Sequence, residues 1–134
     1  MSTAISDPMA VVLVDSSLWV HQLRKSGDLG KRERVNALLR SGRAAWCPPV
    51  RLELWRGVTN DVERRTLRRY ETLLPDYTIL PAVWERAVRL ADRGRAAGLT
   101  APLADLLIFA CAREHGLDLA HDDAHFEQLA KLEA

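Results

Sequence analysis

The sequence predicts an α/β protein, a three-layer α/β/α domain with a small central parallel sheet flanked by helices. Short apolar runs alternate with amphipathic helical stretches, the order that gives a parallel sheet covered on both faces. The first run, Val11-Val12-Leu13-Val14, is β-branched and ends abruptly at Asp15, as a buried strand does. The chain has 134 residues, 48% of them hydrophobic, which suffices for the core of one domain. Residues 1–10 read as a loose tail and residues 11–134 as that domain.

After the first strand, Ser16 or Ser17 caps a helix running to about Lys25, which Gly27 and Gly30 break. A second helix, about Lys31 to Arg40, carries Val35, Leu38 and Leu39 and stops at Gly42. Ala44 to Cys47 reads as a short second strand. Pro48-Pro49 opens a third helix with Val50, Leu54 and Val58 as its stripe, because proline suits a first turn. A fourth helix, about Asp61 to Leu74, ends at Pro75. Tyr77 to Leu80 is expected as a third strand. Pro81 opens a fifth helix whose stripe is Val83, Ala87, Leu90 and Ala91, with Trp84 and Val88 beside it. Gly98 ends it, and Thr100 caps a sixth helix with Pro102 in its first turn. Leu117 to Ala120 is a fourth strand, and a last helix starts near Asp123 with Phe126, Leu129 and Leu132 apolar.

The net charge of +1 does not announce a nucleic-acid partner, although local patches matter more than the sum. Cys47 and Cys111 fall in no metal-binding or redox pattern and read as buried thiols of a reducing compartment. The polar start lacks the features of a signal peptide, and no apolar run approaches the roughly 20 residues of a membrane helix. A cytoplasmic protein is expected, with no membrane association.

Asp15 is the pivotal residue. A carboxylate at the C-terminal end of a buried strand is costly unless something charged meets it. In open α/β sheets that edge is where ligands bind. Glu53 lies one turn into the third helix. Asp105 interrupts the nearly unbroken apolar stretch from Leu103 to Ala110, and Asp122 and Asp123 follow the fourth strand. Each has an ordinary explanation: helix caps for Asp15 and for Asp122 or Asp123, solvation for Glu53, a buried arginine for Asp105. Chance explains their joint placement at one sheet edge far less well.

VVLVDSSLW, PPVRLELWRG, APLADLLIFACAREHGLDL and DDAHF resemble, in order and spacing, the four signature segments of PIN-domain ribonucleases. The VapC toxins of bacterial toxin–antitoxin pairs are the most similar in pattern, and the resemblance runs from Val11 to about Leu129. It implies Asp15, Glu53, Asp105 and Asp123 as catalytic metal ligands, with Asp122 as an additional acid. Ser17 is implied as the hydroxyl that orients a carboxylate or water, and Gly57 matches the glycine one turn after Glu53. It further implies an RNA substrate, endoribonuclease cleavage leaving 5′-phosphate and 3′-hydroxyl ends, a VapB-like antitoxin and a homodimer. Two positions depart from the pattern: His121 stands where the family has Thr or Ser, and His125 where it often has a second acid. The family's final strand has no counterpart after the last helix.

Clustered carboxylates repel RNA but hold Mg²⁺ or Mn²⁺, hard cations that prefer oxygen ligands and reverse the sign of the site. His121 and His125, four apart, can face the site as a Zn²⁺-binding pair, or His125 can simply cover a helix face. His21 and His115 read as ordinary helix residues.

Arg64, Arg65, Arg68 and Arg69 form a basic face suited to RNA phosphates, or else a solvated face paired with Glu63 and Glu71. Lys31, Arg32 and Arg34 form a second cluster. No aromatic RNA-reading motif is present. Trp19, Trp55 and Trp84 read as core or interface, with Trp55 a candidate contact for the antitoxin.

The competing classes are a non-catalytic binding module with a degenerate site, a receiver-type phosphoacceptor, and a dehalogenase-like phosphatase. The phosphoacceptor needs an acidic pair on the first strand, and the phosphatase needs an Asp where Ser17 stands.

Overall fold

The computed structural model describes residues 9–133, so residues 1–8 of the expected tail lie outside the described residues. Ten elements follow one another: β1 (Val12–Val14), α1 (Ser16–Leu23), α2 (Leu29–Arg40), β2 (Ala44–Ala45), α3 (Pro48–Arg56), α4 (Asp61–Leu73), α5 (Pro81–Ala96), α6 (Leu103–His115), β3 (Asp118–Ala120) and α7 (Ala124–Leu132). The three strands form one parallel sheet in the order β2-β1-β3. β1 is therefore central and fully buried, which is why its three residues are all apolar. In register Leu13 lies opposite Ala45 on one side and Leu119 on the other.

Helices flank this sheet as the fold class requires. α1 pairs with α2, α5 with α6, and α7 packs on both α5 and α6, while α3 bridges α1 and α6. α6 is buried almost all round through Leu106, Ile108, Phe109, Ala110, Cys111 and Ala112. It ends at Gly116, whose φ of 66° is left-handed and suits glycine. Trp19 fills the other side of the core, with its ring 5.4 Å from Tyr70 and 6.1 Å from Trp46. Cys47 and Cys111 are buried free thiols.

Several expectations need correction. Asp15, not Ser16 or Ser17, caps α1, and α3 ends at Arg56, so Val58 lies beyond its stripe. Tyr77–Leu80 is not a strand. Pairing there stops at a single bridge between Trp46 and Asp76, because Pro48-Pro49 end the neighbouring edge with no N–H to donate. The carbonyls of Tyr77 and Thr78 turn instead to the Cys111 thiol at 3.6 Å and His115 Nε2 at 2.8 Å. Gly30 does not break a helix but sits in the first turn of α2, which Asp28 caps through the Lys31 amide at 2.9 Å. The buried stripe of α5 runs Val83, Ala87, Leu90 and Gly94, while Ala91 is exposed. Thr100 does not cap α6: Pro102 occupies the cap position and no side chain closes that end.

Candidate active site

The carboxyl edge of the sheet gathers the acids because β1 and β3 end side by side. The Asp15 amide donates to Ala120 O at 2.9 Å, carrying the ladder one residue past β1. The Asp15 side chain is then caught at the start of α1. Its Oδ2 accepts from the Ser17 amide at 3.0 Å, an N-cap bond. Its Oδ1 is buried with no hydrogen-bond partner, in a residue only 2% exposed. Burial pushes this carboxyl above its ordinary range, Ser17 draws it back, and Glu53 adds a further push upward.

The two serines after Asp15 divide the task expected of Ser17. Ser16 Oγ donates to Glu53 Oε1 at 2.8 Å, linking α1 to α3. Ser17 Oγ accepts the Asp122 amide at 2.9 Å, tying the β3–α7 loop to α1. Sequence reasoning missed Ser16. No spacing in the sequence separates it from Ser17, because which hydroxyl turns to Glu53 is settled by the start of α1.

Asp105 stands in the first turn of α6 and is 7% exposed. Its carboxyl is pushed up to about 6, by burial first and then by the negative charges of Asp123, Asp15 and Glu53, with His125 pulling the other way. Among the described residues no arginine pairs with it. Its Oδ2 faces His125 Nδ1 at 3.1 Å, and the same nitrogen lies 2.9 Å from Asp123 Oδ1. Asp123 doubles as the N-cap of α7, accepting from the His125 amide at 2.9 Å.

The two histidines part company. His121 is buried, its ring centroid is 4.8 Å from that of Phe126, and its Nδ1 accepts the Asp123 amide at 3.2 Å. Burial lowers its pKa. Asp122 points away from the cluster and pairs with Lys31 at 2.5 Å, so the additional acid expected there is engaged in an ion pair on α2.

The arginine face is exposed at Arg65, Arg68 and Arg69, but its expected acidic partners are elsewhere. Glu63 turns inward to the Thr59 amide and the Asn60 side chain, and Glu71 holds Trp55 Nε1 at 2.9 Å. Arg64 pairs with Asp61 at 2.7 Å. Arg51 and Arg56 of α3, which sequence reasoning passed over, line a groove of about 710 Å³ beside Glu53. Pro48, Leu52, Trp55, Ile79, Trp84 and Leu107 complete its largely apolar wall.

The acidic edge suits a divalent cation. Asp105, Asp123 and His125 each offer a ligand atom within 4.8 Å of the others. Among the described residues, no lysine or arginine forms an ion pair with Asp15, Glu53, Asp105 or Asp123. The orphaned Asp15 oxygen is the sharpest sign, since a buried carboxylate oxygen is costly without a partner.

The chain is similar to known proteins. The PIN domain family model matches residues 12–132. Ribonuclease VapC11 of Mycobacterium tuberculosis is 32% identical over 126 residues, covering 91% of this chain and 93% of its own. Ribonuclease VapC21 of the same organism is 30% identical over 106 residues, 75% of each chain. The crystal structure of VapBC2 from Rickettsia felis bound to a DNA fragment from their promoter superposes with a TM-score of 0.73 at 18% identity, covering 88% of this chain and 92% of that one. A match that runs from the central strand to the last helix, with identity of this order over nine-tenths of the chain, establishes that the protein belongs to the PIN domain family, among its VapC ribonucleases.

Proposed function

We propose that this protein is a metal-dependent endoribonuclease, the toxin of a toxin–antitoxin pair, neutralised by a VapB-like antitoxin. One observation carries the reading: Asp105 and Asp123 offer ligand atoms within 4.8 Å of each other, the buried Asp15 carboxylate has an unpartnered oxygen, and among the described residues no lysine or arginine pairs with these acids or with Glu53. A phosphodiester cannot approach such a cluster unaided. Asp15, Glu53, Asp105 and Asp123 are the residues to hold Mg²⁺ or Mn²⁺. When bound, the cation supplies positive charge to a phosphate oxygen and acidity to the attacking water.

The chain's own residues do the rest. Ser16 holds Glu53 in place, and Ser17 fixes both Asp15 and the loop that carries Asp123. Attack in line with the leaving oxygen leaves 5′-phosphate and 3′-hydroxyl ends. Arg56, exposed at the groove beside Glu53, suits an RNA phosphate near the acids, with Arg65, Arg68 and Arg69 serving more distant ones. The same groove, apolar with charged ends, fits a segment of the antitoxin. The exposed apolar side of α5 suits a second copy of the chain. Free buried thiols suit a reducing cytoplasm. No described helix is long and apolar enough to cross a membrane.

The test is incubation of the purified protein with structured RNA and Mg²⁺ or Mn²⁺. Cleavage that stops with EDTA and is lost in Asp15→Asn is the expected result. Equal cleavage by wild type and Asp15→Asn would sink the mechanism. Metal binding without cleavage would favour the non-catalytic module.

A further inference from the structure

We infer that His125 is a metal ligand, and that its imidazole tunes this site toward Mn²⁺ and other transition ions at the expense of Mg²⁺. The inference rests on the reading that the acidic edge holds a divalent cation, and goes beyond it by naming a nitrogen donor. His125 Nδ1 lies 2.9 Å from Asp123 Oδ1 and 3.1 Å from Asp105 Oδ2. The three donor atoms sit within 4.8 Å of one another. Apart from the two carboxylates, no acceptor competes for this nitrogen among the described residues. The ring is held by its place in the first turn of α7, where the His125 amide is already spent on Asp123. It is also partly open to solvent, so an ion can arrive.

His121 shows what the alternative looks like. Its Nδ1 is consumed by a backbone amide and its ring is packed on Phe126, so it braces the loop and offers that nitrogen to nothing else. A second and independent sign of a ligand here is the buried, unpartnered Asp15 Oδ1. Ser17 ties Asp15 to the loop that carries Asp123: its amide donates to Asp15 Oδ2 and its hydroxyl accepts the amide of Asp122, next to Asp123.

The chemistry follows from the donor set. Mg²⁺ seeks oxygen ligands and gives up its waters reluctantly. Imidazole suits later first-row ions, and affinity for a given nitrogen–oxygen site rises from Mn²⁺ toward Co²⁺ and Ni²⁺. A site with one imidazole among its carboxylates therefore discriminates against Mg²⁺ more strongly than an all-carboxylate one. The competing idea is that His125 only hydrogen-bonds the two acids, which would leave metal preference untouched when an oxygen ligand replaces it.

The experiment is metal binding by the intact protein, followed by calorimetry and by pulsed electron paramagnetic resonance of bound Mn²⁺. Wild type should show nitrogen modulation from a directly bound imidazole. It should also prefer Mn²⁺ to Mg²⁺ by at least about tenfold more than His125→Asp does. His125→Asp, which returns an oxygen donor, should bind both ions and lose the nitrogen signal. His125→Gln provides a second variant of similar size, and thermal melting reports whether each is folded. Bound Mn²⁺ without nitrogen modulation, or an unchanged preference in folded His125→Asp, would overturn the inference while leaving the nuclease reading standing. No binding of either ion by wild type would overturn both.

Discussion

At the scale of single residues, Asp15 and Asp105 show a site held in an unfavourable state. Asp15 uses one oxygen to cap α1 and leaves the other buried and unpaired. Asp105 has a carboxyl at about 6 against an ordinary 3.8, so the native state holds its proton where the unfolded chain has released it. The sign follows: ionising Asp105 costs native stability as pH rises from about 4 to about 6, and the cost is absent below that window. Its size is on the order of 3 kcal/mol. With EDTA present, Asp105→Asn should therefore melt higher than wild type at pH 7, and the gap should close near pH 4. A gap that stays constant across that range in thermal melts would refute the assignment. Ser16→Ala tests the hydrogen bond to Glu53. A bond to a charged group contributes roughly 1.5–3 kcal/mol to the fold, so the melting temperature should fall, and with Glu53 no longer held Mn²⁺ affinity should fall with it. An unchanged Mn²⁺ affinity by calorimetry would mean that Ser16 merely decorates the site. Asp15 and Asp105 stood out in the sequence because one ends an apolar strand and the other interrupts an apolar helix, whereas Glu53, beside a stripe, stood out only through the family resemblance. Ser16 and the two different fates of His121 and His125 were not legible, because they depend on which nitrogen or hydroxyl faces which neighbour. Sequence spacing does not carry that information.

At the scale of elements, the sheet is short, and the connections between helices do the positioning. The turn from α1 to α2 is closely packed at Gly27. A Cβ on Gly27 would lie 2.1 Å from the carbonyl oxygen of His21, and backbone cannot yield as a side chain can. Gly27→Ala should thus cost roughly 1–3 kcal/mol, measured by denaturant unfolding. Since α2 also carries Lys31, which pairs with Asp122, the variant should loosen the loop that bears Asp123. Wild-type stability in Gly27→Ala would show that the turn can relax. Helix boundaries were read well where a proline or a capping Asp marks them, as at Pro48, Pro81 and Asp123. Tyr77–Leu80 was misread as a strand for an instructive reason. Its residues have strand character, but its neighbour runs into Pro48-Pro49, so there is no ladder to join. In α5 the misplacement of Ala91 came from following the larger apolar residues, whereas the core accepts Gly94 against the Leu99 backbone.

At the scale of the whole molecule, the exposed apolar surface is unevenly distributed. Trp84 and Val88 are one turn apart on α5 and are 55% and 67% exposed, and Leu52 on α3 is 70% exposed. Adjacent large apolar side chains on one face mark an interaction surface more often than chance. Trp84 and Leu52 line the groove beside Glu53, while Val88 lies outside it. The two faces can therefore be separated by mutation. If α5 seats a second copy of the chain, Val88→Glu should convert a dimer to a monomer in light scattering coupled to gel filtration, because a charge buried in an apolar contact has no partner. Its RNA cleavage per chain should persist, since Val88 is exposed and lies outside the groove beside Glu53. Leu52→Glu should do the reverse, leaving the dimer intact and weakening capture of an antitoxin segment. A Val88→Glu protein that remains dimeric would assign α5's exposed face to the antitoxin. Loss of cleavage on dissociation would mean instead that the second copy completes the active site.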